Sequence, residues 1–337
     1  MLKIAYIGNG KSTNRYHIPF AQQIPEIQIK KIYQRNTSNW ETIDGVTYVN
    51  DINEVYDDTS IELVVLSTPP KTHFSLAKEA LLKGKNVLVE KPFTESVEEA
   101  EELFALAESK NLMIQCFQNR RFDSDFLTVQ KVMESGVLGD LLEVEMHYDY
   151  YRPEVSESTI KYSKPNSFVY THACHTVDQV LSYFGSPKSI QSDVRQLLGQ
   201  GRMNDYFDLD LFYDKSLKVS VKSSYFRLKE RPSFVIYDKK GVFVKATKDR
   251  QEEHLKQFFM PTNQEFGIDL PEHYGTLTYL DDKGVYHEEK VISEKGDYSL
   301  FYQALYNTLK KGAPQLVTKE QTIEQLKILN SVTLGLS

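Results

Sequence analysis

The stretch Leu2–Thr13, LKIAYIGNGKST, decides how the N-terminal part of the chain folds. Its apolar run Leu2–Ile7 predicts a strand, and a helical pattern begins soon after Thr13. Between them, Gly8 permits a tight turn and Gly10 lets backbone N–H groups approach a phosphate closely. This strand–glycine–helix order is the context that a dinucleotide fingerprint requires, with the pyrophosphate at the helix N-terminus.

The loop departs from the fingerprint at its third glycine position, which holds Thr13. We expect either slightly looser packing of the helix on the strand or an added hydroxyl contact to a phosphate. Gly10-Lys11-Ser12 also matches the end of a P-loop, but the first P-loop glycine would have to be Ala5, inside the strand. The dinucleotide interpretation is therefore favoured, with contacts from Gly8, Asn9, Gly10, Lys11, Ser12 and Thr13.

Four more strand-like runs follow in the first 120 residues, separated by helical patterns. The runs are 27–33, 63–68, 86–89 and 112–117, and the helical patterns are 15–23, 52–56, 72–83 and 96–109. Alternating strands and helices predict right-handed βαβ units, which place all the strand C-termini at one edge of a parallel sheet. We therefore predict an α/β Rossmann domain, a doubly wound parallel sheet, over residues 1–121, with its ligand crevice at that edge.

The pattern changes after Arg121 to one helix, one strand and a second helix, over 124–135, 141–150 and 172–184. Seven strand-like runs joined by short polar turns come next, at 188–197, 206–213, 217–226, 233–238, 242–246, 275–281 and 285–292. Helical patterns over 298–311 and 319–334 close the chain. Strands in succession predict an α+β domain over residues 122–337 with a large open, mainly antiparallel sheet.

Length and composition limit the class of protein. The 337 residues are enough for two cores, and the net charge of −7 argues against a nucleic-acid partner or an anionic membrane surface. No apolar run approaches the roughly 18 residues that span a bilayer, and the N-terminus has no signal-peptide pattern. The two cysteines, Cys116 and Cys174, form no disulfide framework. We expect a cytoplasmic protein with reduced thiols and no membrane partner.

The end of the second strand bears on the choice of cofactor. An NAD enzyme usually places an acidic residue there for the ribose 2′-hydroxyl, whereas this chain has Gln34 and then Arg35. An arginine can pair bidentately with a 2′-phosphate, so we expect NAD(P) with a preference for NADP. A solvated loop arginine is the alternative.

Polar residues follow the later strands of the predicted sheet. The turn Ser67–His73 (STPPKTH) comes after the most buried strand, and its prolines fix an extended segment that can wall the ribose and nicotinamide side of a cofactor. His73 is either part of that wall or an ordinary first-turn helix residue. Beyond the glycine loop we expect cofactor contacts from Arg35, Ser67, Thr68, Pro69, His73, Glu90, Lys91, Gln118 and Asn119.

Two places offer groups that handle protons. Lys91, in Val89-Glu90-Lys91-Pro92, ends a buried parallel strand and should point into the crevice, where an ammonium is a well-aimed donor. His172, His175 and Asp178 recur every three residues and share a helix face, which suits a general base oriented by a carboxylate.

Other interpretations of this helix stay open. A buried core histidine is one, Cys174 as a nucleophile or as a buried thiol is another, and a metal site is a third. Because the spacing fits no common zinc pattern, we expect no metal.

Amide, arginine and tyrosine groups suit a polyhydroxylated substrate, and they cluster in QNRRFD (118–123) and DYYRP (149–153). Structural pairing, such as Arg121 with Asp123, is the alternative for each residue. The expected substrate contacts are Lys91, Arg121, Tyr151, Arg152, His172, His175 and Asp178.

Together these residues resemble the glucose–fructose oxidoreductase, inositol dehydrogenase and rhizopine-catabolism (Gfo/Idh/MocA) family over essentially the whole chain. The most specific element is Glu90-Lys91-Pro92, placed between the glycine loop and the H-x-x-D of His175 and Asp178. QNRRFDSDF and HYDYYRP resemble a bacterial branch that includes scyllo-inositol dehydrogenases. One departure is Thr171, where the family often has Asp four residues before the catalytic histidine.

The resemblance implies a Rossmann domain plus an open antiparallel sheet that forms homodimers or homotetramers, with Lys91 and His175 as the catalytic pair. The 21 Tyr and 18 Phe residues fit such a subunit interface or ordinary sheet packing. We expect hydride transfer between NAD(P) and a secondary alcohol carbon of a polyol, inositol or sugar-like substrate. Alternatives are a redox-assisted lyase or hydrolase that retains its cofactor, and a non-catalytic NAD(P)-binding sensor.

The cofactor expectation can be tested by steady-state rates with NADP and with NAD under the same conditions. Since Arg35 replaces the usual acidic residue, NADP should give the higher kcat/KM. Strong discrimination in favour of NAD would contradict it.

Overall fold

The computed structural model describes residues 1–154 and 160–335. Residues 155–159 and 336–337, which the second predicted domain includes, lie outside the described residues. The chain divides into two compact units. Unit 1 comprises Met1–Asn119, Phe258–Gln264 and Tyr298–Lys327, and unit 2 comprises Arg120–Gln257, Glu265–Asp297 and the chain from Ile328.

Unit 1 contains a six-stranded parallel sheet in the order β3-β2-β1-β4-β5-β6. This is the strand order of a doubly wound dinucleotide-binding fold, so the predicted Rossmann architecture is confirmed. The central strand β4 is LVVL, fully buried, and each such side chain contributes about 1.5–3 kcal/mol by leaving water. The strands are β1 (Leu2–Ile7), β2 (Ile27–Tyr33), β3 (Thr47–Val49), β4 (Leu63–Leu66), β5 (Asn86–Val89) and β6 (Ile114–Cys116).

The helices of the first 119 residues cover the sheet between successive strands. They are α1 (Ile18–Ala21), preceded by a π-helical turn over Thr13–His17, then α2 (Asn53–Tyr56), α3 (His73–Leu82) and α4 (Val97–Ser109). The start of α4 is fixed by its cap, since Ser96 Oγ accepts a hydrogen bond from the Glu99 N–H at 3.2 Å.

Unit 1 also takes in a helix from the C-terminal part of the chain. Helix α8 (Ser299–Lys311) packs on β1 and α1, and Tyr298 contacts Phe20 with ring centroids 5.3 Å apart. The sequence analysis placed these residues in the second domain, because connection order alone does not show where an amphipathic helix returns. Helix α9 (Lys319–Val332) follows and runs from unit 1 into unit 2.

Unit 2 contains an eight-stranded sheet in the order β14-β13-β12-β11-β7-β10-β9-β8. Neighbouring strands are antiparallel except β7 and β10, which are parallel, so the prediction of a large, mainly antiparallel sheet is confirmed. The strands are β7 (Glu143–His147), β8 (Ser189–Arg195), β9 (Tyr206–Phe212), β10 (Lys218–Ser224), β11 (Phe234–Tyr237), β12 (Gly241–Lys245), β13 (Gly275–Leu280) and β14 (Tyr286–Val291).

Three helices belong wholly to unit 2: α5 (Ser124–Glu134), α6 (Cys174–Phe184) and α7 (Gln251–Lys256). A π-helical turn over Val169–Ala173 leads into α6. The sequence analysis predicted α5 and α6 but not the short α7, nor the short, partly exposed β3 of unit 1, because neither segment has a hydrophobic period long enough to detect. Over 1–154 and 160–335, no helix combines the length and the apolar character that crossing a membrane requires.

Candidate functional site

The glycine loop after β1 has the geometry of a close backbone approach. Gly8 adopts φ +113°, and a Cβ on it would lie 2.3 Å from the Ser67 carbonyl oxygen. Only glycine fits this position, because both the backbone conformation and the space exclude a side chain. Gly10 differs: its φ is not positive and a Cβ there would meet no atom within 4 Å. The fold does not need glycine at position 10, which is consistent with a ligand that approaches the backbone there.

The loop is fixed by its own side chains. Thr13, at the third fingerprint position, is buried and donates its hydroxyl to the Gly8 carbonyl at 2.7 Å. The sequence analysis expected either looser packing of the helix or a contact from the Thr13 hydroxyl to a phosphate. The hydrogen of that hydroxyl is donated within the loop itself. Asn9 donates to Gln34 Oε1 at 2.9 Å and accepts from Asn14 at 2.8 Å, which ties the loop to the end of β2. Lys11 and Arg35 are exposed.

Two buried polar atoms among the predicted cofactor residues have no hydrogen-bond partner in the part of the chain that the structure describes. They are the hydroxyl of Ser67, after β4, and Oε1 of Gln118, after β6. A buried polar atom without a partner is costly, so such atoms point to a ligand or water. With the open position at Gly10, they fit a polar cofactor along the strand ends. Asn119, next to Gln118, is buried.

His73 joins two loops rather than facing outward. Its ring is fully buried, with Nε2 2.9 Å from the Thr68 carbonyl oxygen and Nδ1 2.9 Å from the Pro92 carbonyl oxygen. The Thr68 hydroxyl accepts from Thr72 at 2.8 Å, and Pro69 is extended, with φ −61° and ψ 144°. His73 therefore lies between the loop after β4 and the turn that carries Lys91, with a main-chain carbonyl oxygen facing each ring nitrogen.

Glu90 is the centre of a buried polar network beside Lys91. Glu90 Oε1 accepts from His17 Nε2 at 3.1 Å and from the Ser12 hydroxyl, and Oε2 accepts from the Lys91 N–H at 3.0 Å. On the other side of the imidazole, His17 Nδ1 lies 2.7 Å from the hydroxyl of Tyr302, on α8. Because a carboxylate only accepts, His17 Nε2 carries the hydrogen of its bond to Glu90.

This network controls the charge of Glu90. Burial alone would raise the pKa of its carboxyl, but the hydrogen bond and charge of His17, with Lys91 and Ser12, lower it to about 2. The residue before Lys91 is therefore ionised throughout the ordinary pH range. Lys91 itself is half-buried at the start of the turn that follows β5.

In unit 2, Arg121 and Asp178 are paired with each other. Arg121 Nε and Nη2 donate to the two Asp178 oxygens at 2.8 and 2.7 Å, and both side chains are buried. Burial raises the pKa of Asp178, and the arginine opposes that effect. Asp123, the other carboxylate considered for Arg121, accepts from Arg120 at 3.2 Å. The partner that we expected to orient His175 is thus bound bidentately by Arg121.

The Thr171 hydroxyl engages the neighbouring His172. It donates to the Ser167 carbonyl at 2.8 Å and lies 2.9 Å from His172 Nδ1, so it accepts from that nitrogen. The His172 ring packs at 4.5 Å from Phe168 and 5.2 Å from Tyr150, between ring centroids. His175 is buried on the same helical run, at the start of α6.

The remaining predicted residues lie at the surface or in the core. Tyr151 is 54% exposed, Arg152 is exposed beside it, and Cys174 is buried. Within 1–154 and 160–335, no group of three or more His, Cys, Asp or Glu residues is arranged to hold a metal.

The predicted site residues fall into two sets, one in each unit. Unit 1 contains the predicted cofactor residues: the glycine loop, Arg35, the turn after β4, Glu90, Lys91, Gln118 and Asn119. Unit 2 contains the other predicted residues: Arg121, Tyr151, Arg152, His172, His175 and Asp178. Sequence analysis missed His17 and Tyr302. A histidine inside the apolar stretch YHIPF is a weak signal for His17, and Tyr302 has none.

The glycine turn and the strand order of unit 1 define a Rossmann dinucleotide-binding protein. Residues 2–118 match the model of an oxidoreductase family with an NAD-binding Rossmann fold, and residues 130–334 match the C-terminal alpha/beta domain of the same family. The chain belongs to the Gfo/Idh/MocA oxidoreductase family.

Relatives of similar length support the assignment. The chain is 41% identical to the uncharacterized oxidoreductase YhhX of Escherichia coli (strain K12), over 98% of this chain and 95% of that protein. It is 31% identical to the scyllo-inositol 2-dehydrogenase (NADP(+)) IolW of Bacillus subtilis (strain 168), over 98% and 92%. A crystal structure of an oxidoreductase from Bacillus cereus superposes with a TM-score of 0.94 at 37% identity, covering 100% of this chain and 97% of the other.

The two glycines of the loop should respond differently to alanine. Gly8→Ala introduces a Cβ 2.3 Å from a backbone oxygen at φ +113°, so it should lower the free energy of unfolding by roughly 2 kcal/mol or more. Gly10→Ala should leave unfolding nearly unchanged and weaken binding of NADPH. Urea unfolding and fluorescence titration measure the two effects, and equal destabilisation by both changes would refute this account of the loop.

Glu90→Gln should show a pH-dependent loss of stability. A carboxyl with its pKa lowered from 4.5 to about 2 stabilises the fold above pH 4.5, and this stabilisation is lost as the pH falls toward 2. The variant should unfold more easily by roughly 3 kcal/mol at pH 7, and the difference should shrink markedly by pH 3. Glu26→Gln, at an exposed position, is the control and should match wild type. A difference that stays constant from pH 7 to pH 3 argues against the network.

Proposed function

We propose that this protein is an NAD(P)-dependent oxidoreductase that transfers a hydride between the nicotinamide and a secondary alcohol carbon of a polyol, inositol or sugar-like substrate. The observation that carries the proposal is the turn of Glu90 and Lys91, in which an ionised, buried carboxylate accepts from the Lys91 amide. Family membership and the scyllo-inositol dehydrogenase activity named for IolW support the same reaction class.

In the proposed reaction, the alcohol carbon gives up a hydride and its hydroxyl loses a proton, so that a carbonyl remains. When bound, NAD(P) supplies the hydride acceptor. His175 takes the hydroxyl proton, and Lys91 donates a hydrogen bond to the same oxygen and stabilises the developing negative charge. The protein contributes position and orientation, and the reverse reaction uses the same groups in the opposite order.

The cofactor contacts follow from unit 1. The backbone of the glycine loop would hold the pyrophosphate, and the hydroxyl of Ser67 and the amide of Gln118 would supply polar contacts along the strand ends. Arg35, exposed directly after β2, pairs with a 2′-phosphate, so NADP is preferred. The NADP-linked name of IolW is in line with this preference.

The substrate contacts come from unit 2, from His172, His175 and the exposed pair Tyr151 and Arg152. Because Arg121 and Asp178 hold each other, we assign them to the support of the helix that carries His175. Assembly into a homodimer or homotetramer through the sheet of unit 2 completes the proposal.

Replacement of Lys91 tests the catalytic role. Lys91→Ala and the longer Lys91→Met both remove the ammonium and should lower kcat by roughly 10²-fold or more, as the loss of a positioned proton-handling group does. The assay follows NADP reduction with scyllo-inositol, or with any polyol that the wild type oxidises. NADPH binding, measured by fluorescence, should persist.

Lys110→Met is the matched control, because Lys110 is an exposed lysine of unit 1 outside all the residues proposed to hold the cofactor. It should keep wild-type kcat. Nearly normal turnover in both Lys91 variants, with NADPH still bound, would remove Lys91 from the mechanism.

A further inference from the structure

Arg152 is held by aromatic rings in unit 2. Its guanidinium carbon lies 4.1 Å from the centroid of the Tyr150 ring and 5.5 Å from that of Tyr225. Its backbone N–H donates to the Tyr225 carbonyl at 2.7 Å, so main chain and side chain are both fixed. One side-chain hydrogen bond of Arg152 goes to the Tyr225 hydroxyl. A guanidinium has five N–H groups, so others remain that can match the two oxygens of a carboxylate or phosphate.

Three other cations of unit 2 have carboxylate partners, whereas Arg152 has no carboxylate partner among the described residues. Arg231 pairs with Asp149 at 2.8 Å, Lys248 with Glu230 at 3.0 Å, and Arg120 with Glu252 at 2.5 Å.

A second arginine, Arg227, also has no carboxylate partner among the described residues. It follows Phe226, the bridge partner of Tyr151, and its N–H donates to the Tyr150 carbonyl at 3.1 Å. Its buried Nε has no hydrogen-bond partner, and no carboxylate of the described chain pairs with it. Two arginines without carboxylates on neighbouring segments form a local excess of positive charge that suits an anion.

This excess charge lies close to His172, three residues before the proposed base in the chain. The His172 ring contacts both aromatic supports of Arg152, at 5.2 Å from Tyr150 and 5.9 Å from Tyr225, between centroids. His172 belongs to the helical run that continues into His175. An anion bound by Arg152 would therefore belong to the same ligand that His175 acts on.

We propose that Arg152, supported by Arg227, binds an anionic group of the substrate, which makes the substrate class a sugar or polyol that carries a carboxylate or a phosphate monoester. This inference rests on the proposed function for the reacting alcohol. It narrows that function, because a neutral polyol would leave both arginines without a counter-charge.

Binding to the intact protein in the presence of NADP tests this proposal with matched sugars. The probes are D-glucuronate and D-gluconate as carboxylates, D-glucose 6-phosphate as a phosphate, and D-glucose and scyllo-inositol as neutral compounds. Isothermal titration at low and high salt should give at least tenfold tighter binding for one anionic class, with a preference that falls as salt rises. Which class binds identifies the anion.

Arg152→Gln should abolish the preference for the anion, and Arg152→Lys should retain part of it, because a lysine keeps the charge but not the bidentate geometry. Lys229→Gln removes a charge from a neighbouring exposed lysine and should leave the preference intact. Equal binding of anionic and neutral sugars, no binding of any anionic probe, or an unchanged preference in Arg152→Gln overturns the proposal. Anion binding without NADP reduction would instead count against the proposed hydride transfer alone.

Discussion

The hydrogen bonds that converge on the Glu90 carboxylate hold the proposed catalytic turn in place. They join the glycine loop through Ser12, the first helical segment through His17 and the main chain of Lys91. Burial opposes the negative charge, and the hydrogen bonds and charges of these partners outweigh it and lower the pKa of Glu90. The glycine loop and the lysine that we propose as catalytic are therefore fixed by one group, and a shift of any partner would be felt at the others.

Local sequence was sufficient where the structure depends on local chemistry. The apolar run before Gly8 and the alternation of strands and helices predicted the Rossmann sheet, because a parallel strand buried on both faces must be apolar throughout. The contact between His17 and Tyr302 joins positions far apart in the chain, and neither residue has a neighbour that indicates its partner. The first domain and the helix over 298–311 were both predictable, but the packing of that helix in the first unit was not.

The helix with His172, His175 and Asp178 shows the same limit at the site. A three-residue period correctly placed three polar residues on one helical run, but it could not identify what each side chain meets. Arg121 binds Asp178, and the Thr171 hydroxyl contacts His172, its neighbour in the chain. The threonine side chain is shorter than that of the aspartate often found at this position in the family, and it carries no charge. Its hydroxyl therefore forms hydrogen bonds with groups that lie close to it.

The return of α8 to the first unit has a consequence for biosynthesis. A ribosome releases the whole six-stranded sheet long before it has made Tyr302, so the nascent sheet exposes the apolar surface of β1 and α1 that α8 later covers. Unit 1 therefore cannot finish folding as an independent N-terminal module during translation, and its completion waits until most of unit 2 has been synthesised. In this chain the first sheet to emerge from the ribosome gains its last helix only near the end of synthesis.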